Sequence, residues 1–233
     1  MCKNRVYLSK IDLLLRQDIY DDLLQIISSE NRERCRRFRL KEDALRTLYG
    51  ELILRHVLTQ RFSLRNEGIE ILKGDKGKPY VKDFPTHFNI SHAGDFVICA
   101  FSEKEVGIDV EQVKEVDLNI AKRYFHPFEC EDLFAQDASR QLEYFFLLWT
   151  LKESYMKWLG DGMSIPLDSF FFRVADDNIS LTDKHREARP FFKQFTIGGY
   201  QVSLCSAVDD FPDRIEEISI DEMRFNKRDL ENE

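Results

Sequence analysis

VGIDVE, residues 106–111, decides how the rest of the chain is read. Val106, Ile108 and Val110 alternate with Gly107, Asp109 and Glu111, the period of two that marks a strand with one face toward a core. On such a strand Asp109 and Glu111 point the same way, roughly 6.5–7 Å apart at a rise of about 3.3 Å per residue. Two carboxylates held that close repel unless water, a cation or a basic partner lies between them.

On the N-terminal side of this strand the first third reads as helical. Ile19, Leu23, Ile26 and Ile27 have helical spacing, and Ala44, Leu45, Leu48, Leu52 and Ile53 repeat it over about residues 41–61. The period then shortens: GIEILKG, HFNIS and FVICAFS read as strands, with DKGKP and HAGD as turns between them. Three short strands with tight connections predict an antiparallel sheet. The second half repeats the order. LNIAKRYF and HPFECEDLFAQ read as helices, Pro127 standing near the first position of the latter, where a missing N–H does no harm. A helix over about 140–159 stops at Gly160 and Gly162, and SFFFRVA, FFKQFTIG and YQVSLCSAV follow as strands. The expectation is an α+β fold of two halves, residues 1–105 and 106–233, packed directly because no Pro/Ser/Gly-rich linker divides them. The tail NKRDLENE is expected to fray.

Composition narrows the function classes. The 233 residues carry a formal net charge of −8, which argues against general nucleic-acid binding. No apolar run reaches the roughly 20 residues that span a bilayer, and the N-terminus has no signal-peptide pattern, so the reading is a cytoplasmic protein off the membrane. Five scattered cysteines without a CxxC pair indicate neither a disulfide framework nor a thiolate zinc site. Charge is uneven, however: NRERCRRFRLK gathers Arg32, Arg34, Arg36, Arg37, Arg39 and Lys41 around one acid, Glu33. That run is either a solvated helix face or a phosphate-binding wall.

The long helix carries WTLKESYMKWLG. Tyr144, Leu148, Leu151, Tyr155, Trp158 and Leu159 form its apolar stripe, and Trp149, Glu153 and Lys157 follow at intervals of four on a neighbouring face. Glu153 and Lys157 read either as an ordinary ion pair or, given the flanking indoles, as a partly buried Glu that needs a cation. If this helix packs beside VGIDVE, Glu153 joins Asp109 and Glu111 as a third carboxylate. Three oxygen ligands without a local His or Cys cluster point to Mg²⁺ or Mn²⁺ and, since Mg²⁺ completes its shell with phosphate oxygens, to a phosphate-bearing ligand. Lys78 in DKGKPY and Ser91 with His92 in NISHAG are then candidate phosphate contacts; alone, the first reads better as a plain hairpin turn and the second as a satisfied turn histidine.

GKPYVKDFPTHFNISHAGDFVICAF, VGIDVEQV, FHPFECEDL and LWTLKESYMKWLGDGMSIPLDSF together resemble the 4′-phosphopantetheinyl transferases of the surfactin-synthetase-activating type. The likeness runs from NRERCRRFRLKEDALRTLYGELILR to PLDSFFFRV, nearly the whole chain. It implies a pseudo-symmetric monomer of two similar α+β halves with coenzyme A between them. It implies Mg²⁺ on Asp109, Glu111 and Glu153, and Lys157 against the transferred phosphate. Lys78, Pro79, Ser91 and His92 would line the coenzyme site, His92 near the adenosine 3′-phosphate, with Arg46 and Thr47 as further contacts. Asn31 and Arg34 stand where close relatives often carry lysines, and Ala93 where they often carry serine.

The activity implied is transfer of phosphopantetheine from coenzyme A to a serine of an apo acyl or peptidyl carrier protein, releasing 3′,5′-ADP, in nonribosomal peptide, polyketide or fatty-acid synthesis. Glu153, or Glu129 in FHPFE, would accept the serine proton; Glu129 fits a helix-capping carboxylate at least as well. Carrier docking is expected after Glu111 and along residues 160–164. The rival readings are a Mg²⁺-dependent phosphodiesterase or nuclease with water as nucleophile, and a non-catalytic carrier-binding module.

Overall fold

A computed structural model describes residues 4–160, 165–175, 178–187 and 189–224. Its first element corrects the helical reading of the opening third: β1 (Arg5–Lys10) is a strand. Val6, Tyr7, Leu8 and Ser9 are all buried, because Val6 and Leu8 enter the core between the halves while Tyr7 enters the core of the first half. Burial on both faces erases the alternation by which a strand is recognised.

Helices α1 (Gln17–Leu24), α2 (Ser29–Arg37) and α3 (Lys41–Phe62) follow. The Ser28 hydroxyl caps α2 by accepting from Asn31 N. α2 is braced against α3 by Glu51, which pairs with Arg55 Nε at 2.7 Å and accepts from Ser28 and Asn31. Strands β2 (Ile71–Lys73) and β3 (Pro79–Val81) form a hairpin of their own, so GIEILKG does not join the expected sheet. DKGKP closes that hairpin: Gly74 N donates to Lys78 O, and Gly77 adopts φ +83°, open to glycine at no steric cost. β4 (His87–Ala93) and β5 (Phe96–Ser102) pair antiparallel, as read, and β5 continues onto β1.

β6 (Val106–Gln112) opens the second half. α4 (Ala121–Tyr124), α5 (Pro127–Ala135) and α6 (Ala138–Leu159) come next, Pro127 at the first position of α5 and Gly160 ending α6 at φ +70°. Gly162 and the tail from residue 226 lie outside the described residues. β7 (Phe170–Ala175) folds back on β8 (Asn178–Asp183), a strand the sequence reading did not contain. β9 (Phe191–Ile197), β10 (Tyr200–Ser206) and β6 make the second antiparallel sheet. The chain then returns: β11 (Glu216–Glu217) pairs parallel with β1, and Ile218 and Met223, the latter on α7 (Ile220–Arg224), enter the core of the first half. Residues after 106 thus contribute to both halves.

The fold is α+β, two similar halves that each lay a 22-residue helix on a sheet, antiparallel except for β11 at the edge of the first. Between them Val6, Leu8, Ile98 and Ala100 meet Val106, Ile108, Val110 and Leu204 in one apolar core. Across this seam β6 runs beside β4 without a ladder; Ile108 N donates instead to the Asn89 side chain at 2.9 Å. No helix among the described residues is long and apolar enough to cross a membrane.

Candidate functional site

The parity of β6 builds the site. Val106, Ile108 and Val110 enter the core between the halves, so Gly107, Asp109 and Glu111 share the opposite face. α6 lies directly on Gly107: a Cβ there would stand 2.1 Å from Ser154 O and 2.4 Å from Trp158 N. This glycine lets the helix touch the strand and brings Lys157 to Asp109 Oδ1 at 2.7 Å. Ser91, from β4, donates to the same oxygen at 2.8 Å and lies 2.8 Å from Lys157 Nζ. Asp109 is 4% exposed, and its Oδ2 is buried with no partner.

The flanking acids feel that charge. Burial and then Asp109 push Glu111 up to about 7, against the pull of Lys157 and Lys114. Glu153 is raised by the same two causes, again opposed by Lys157. Among the described residues no three His, Cys, Asp or Glu side chains are arranged as a metal cage; the ammonium of Lys157 takes up one oxygen of Asp109. What the structure presents is a buried acid held by a lysine and a serine, with two acids nearby whose ionisation is suppressed.

Two cavities flank this cluster and share Pro79 as a wall. One, of about 260 Å³, is lined by Lys78, Asn89, Glu153, Met156 and Lys157. Lys78 does not present its charge to that space: Nζ donates to Val106 O, Lys157 O and Trp158 O at 3.0, 2.8 and 3.3 Å. It braces the C-terminal end of α6, where helix carbonyls lack partners. Burial lowers its pKa.

The other cavity, of about 240 Å³, lies between α2, α3 and the first sheet and gathers Arg34, Arg46, Thr47 and His92. Arg46 is anchored by Gly94 O at 3.0 Å and Asp43 at 2.8 Å, while Arg34 lies over the Phe38 ring. His92 is exposed at the surface, yet the protein crowding its ring, then Arg46 and Lys157, lowers its pKa. Gly50 keeps the cavity open, since a Cβ there would press on Ile90 at 3.3 Å.

Glu129 is placed otherwise. It is fully buried, accepts from His126 N and Phe172 N at 2.9 Å each, and pairs with Lys152 at 2.7 Å. Lys152 is buried too and donates to Leu167 O and Phe170 O. Enclosed and saturated, Glu129 is the capping carboxylate of α5 and has no route to a substrate proton, which corrects its reading as a base. Lys73, Asn89 and the steric role of Gly107 were not singled out in the sequence. The shared parity of Gly107, Asp109 and Glu111 carried the last of these signals.

One cavity lined by Arg34, Arg46 and His92 and another that reaches Glu153 and Lys157 share Pro79 beside an acid–lysine–serine cluster, a chemistry suited to a phosphorylated ligand. Residues 16–104 match the family model "4'-phosphopantetheinyl transferase, N-terminal", and residues 105–205 match "4'-phosphopantetheinyl transferase superfamily". The chain is 41% identical over 224 residues to 4'-phosphopantetheinyl transferase Sfp of Bacillus subtilis (strain 168), covering 94% of this chain and 99% of that protein. It is 37% identical to 4'-phosphopantetheinyl transferase psf-1 of Bacillus pumilus, over 87% of this chain and 88% of that one. It is 31% identical to the L-aminoadipate-semialdehyde dehydrogenase-phosphopantetheinyl transferase of Homo sapiens, over 71% of this chain and 58% of that protein. The chain belongs to the 4′-phosphopantetheinyl transferase family.

Proposed function

We propose that the protein transfers the phosphopantetheine of coenzyme A to a serine of apo acyl or peptidyl carrier domains, leaving holo-carrier and 3′,5′-ADP. The observation that carries this reading is the meeting of Asp109, Lys157 and Ser91 between two cavities in a member of this family. Coenzyme A would run across Pro79, its nucleotide beside Arg34, Arg46, Thr47 and His92 and its pyrophosphate at the acid cluster.

The donor set fits a hard cation. Asp109 Oδ2 is buried without a partner, and three acids with no sulfur or imidazole among them suit Mg²⁺, with Mn²⁺ as substitute. Asp109, Glu111 and Glu153 would hold it. A cation held there would supply positive charge against the pyrophosphate.

The remaining chemistry falls to the chain's own groups. The carrier serine oxygen bonds to the β-phosphorus while the bond from that phosphorus to the ADP oxygen breaks. Glu153, whose pKa burial raises, takes the serine proton; a carboxylate has a second oxygen for the cation. Lys157 donates to the departing oxygen, a charge-assisted contact that strengthens as the bond lengthens. Ser91 holds Lys157 and Asp109 in register, and Lys78 holds the end of α6. Residues from both halves meet at the site, so a monomer suffices. The free thiols Cys35, Cys99, Cys130 and Cys205 suit work in the reducing cytoplasm.

The test is to incubate the protein with coenzyme A, Mg²⁺ and several apo-carriers, then weigh the carriers by mass spectrometry. A gain of one phosphopantetheine that disappears with chelator is expected. Release of free phosphopantetheine without any carrier would replace the transferase reading with a hydrolytic one.

A further inference from the structure

The nucleotide cavity carries a lysine that the reading above leaves unused. Lys73 ends β2 and stands directly opposite Pro79 in the β2–β3 ladder, beside the residue that both cavities share. Glu30 and Glu51 are the acids in the same wall. Glu51 is 3% exposed and fully engaged: Ser28 N, Ser28 Oγ, Asn31 Nδ2 and Arg55 Nε all donate to it within 2.8 Å. Asn31 is thereby spent as a neutral brace between α2 and α3. Arg46 is occupied by Asp43 and Gly94.

Lys73 differs in the strength of its hold. It pairs with Glu30, and the two side chains are 59% and 68% exposed. An ion pair that wet is worth about 0–1 kcal/mol, so a doubly charged anion entering the cavity displaces Glu30 readily. We propose that Lys73 leaves Glu30 to bind the 3′-phosphomonoester of coenzyme A, supplying the charge that Asn31 cannot. The inference rests on coenzyme A spanning the two cavities. With the pyrophosphate at Asp109 and Lys157, the 3′-phosphate is the anionic group left for the cavity on the other side of Pro79.

Binding of coenzyme A and of 3′-dephospho-coenzyme A is to be measured by calorimetry for the wild type, Lys73→Ala and Lys73→Ala/Glu30→Gln, with kcat and KM alongside. Lys73→Ala should weaken coenzyme A about tenfold, the size of one charge-assisted contact. It should leave kcat within about twofold and 3′-dephospho-coenzyme A untouched, and the double variant should stay weak. Equal losses for both nucleotides, or no loss, would overturn the proposal. So would recovery in the double variant, since Lys73 would then only screen Glu30. A wild type that binds no coenzyme A and makes no holo-carrier removes the parent function; an active wild type with an unaffected Lys73→Ala removes the lysine alone.

Discussion

Gly107→Ala isolates the contact that assembles the site. Its Cβ would stand 2.1 Å from Ser154 O, whereas a carbon rests against a carbonyl oxygen at roughly 3.3 Å, so something must give by about 1.2 Å. β6 cannot move easily, because its ladder with β10 pairs Gly107 with the buried Cys205 and its other face packs Val106 and Ile108 into the core between the halves. α6 must therefore lift, carrying Glu153 and Lys157 away from Asp109. Overpacking of this kind costs about 1–3 kcal/mol, or a fall in Tm of roughly 3–10 °C for a chain of this length. A displacement near 1 Å costs on the order of 100-fold in turnover. Thermal melting and mass-spectrometric rates of holo-carrier formation read both effects. Gly68→Ala is the control, since nothing lies within 4 Å of its Cβ. A Gly107→Ala protein with wild-type Tm and wild-type rate would refute the argument that this glycine sets the distance between strand and helix.

Three further outcomes are expected. Glu111 is held at about 7 when folded against an ordinary 4.5, so the folded state binds the extra proton and stability is lost as pH rises from about 4.5 through 7. A rise of that size bounds this loss at roughly 3 kcal/mol, less whatever water screens. In chelator, Tm should fall from pH 5.5 to 8 and fall less in Glu111→Gln, while Mg²⁺ flattens both curves; identical slopes would count against the acid cluster. Glu129→Gln should lose about 3 kcal/mol of stability, because Lys152 is left buried without its partner, and keep its turnover per folded molecule. A loss of 100-fold or more in kcat with an unchanged melt would restore Glu129 as the base. Asp109→Ala should abolish Mg²⁺-dependent transfer in a folded protein, and Lys157→Ala should depress kcat more than coenzyme binding, as single-turnover rates and calorimetry would show.

Strong local patterns were legible without coordinates. The apolar stripe of α6 and its glycine stop, Pro127 at the start of α5, and the alternation in VGIDVE each state their element within a few residues. Motif order likewise carried the family, and named Arg34, Arg46, Thr47, Lys78, Pro79, His92, Glu153 and Lys157 among the residues that line the two cavities. What only the tertiary structure decided involves groups distant along the chain. β1 hid because both its faces are covered, and β11 because two residues leave no period to read. Lys78, read as a phosphate ligand, spends its protons on the end of a helix some 80 residues away. Glu129 could have been base or cap until Lys152 and Phe172 closed over it. A sequence records which side chains can carry charge; which partner neutralises each one is fixed by how strands and helices from both halves close on one another.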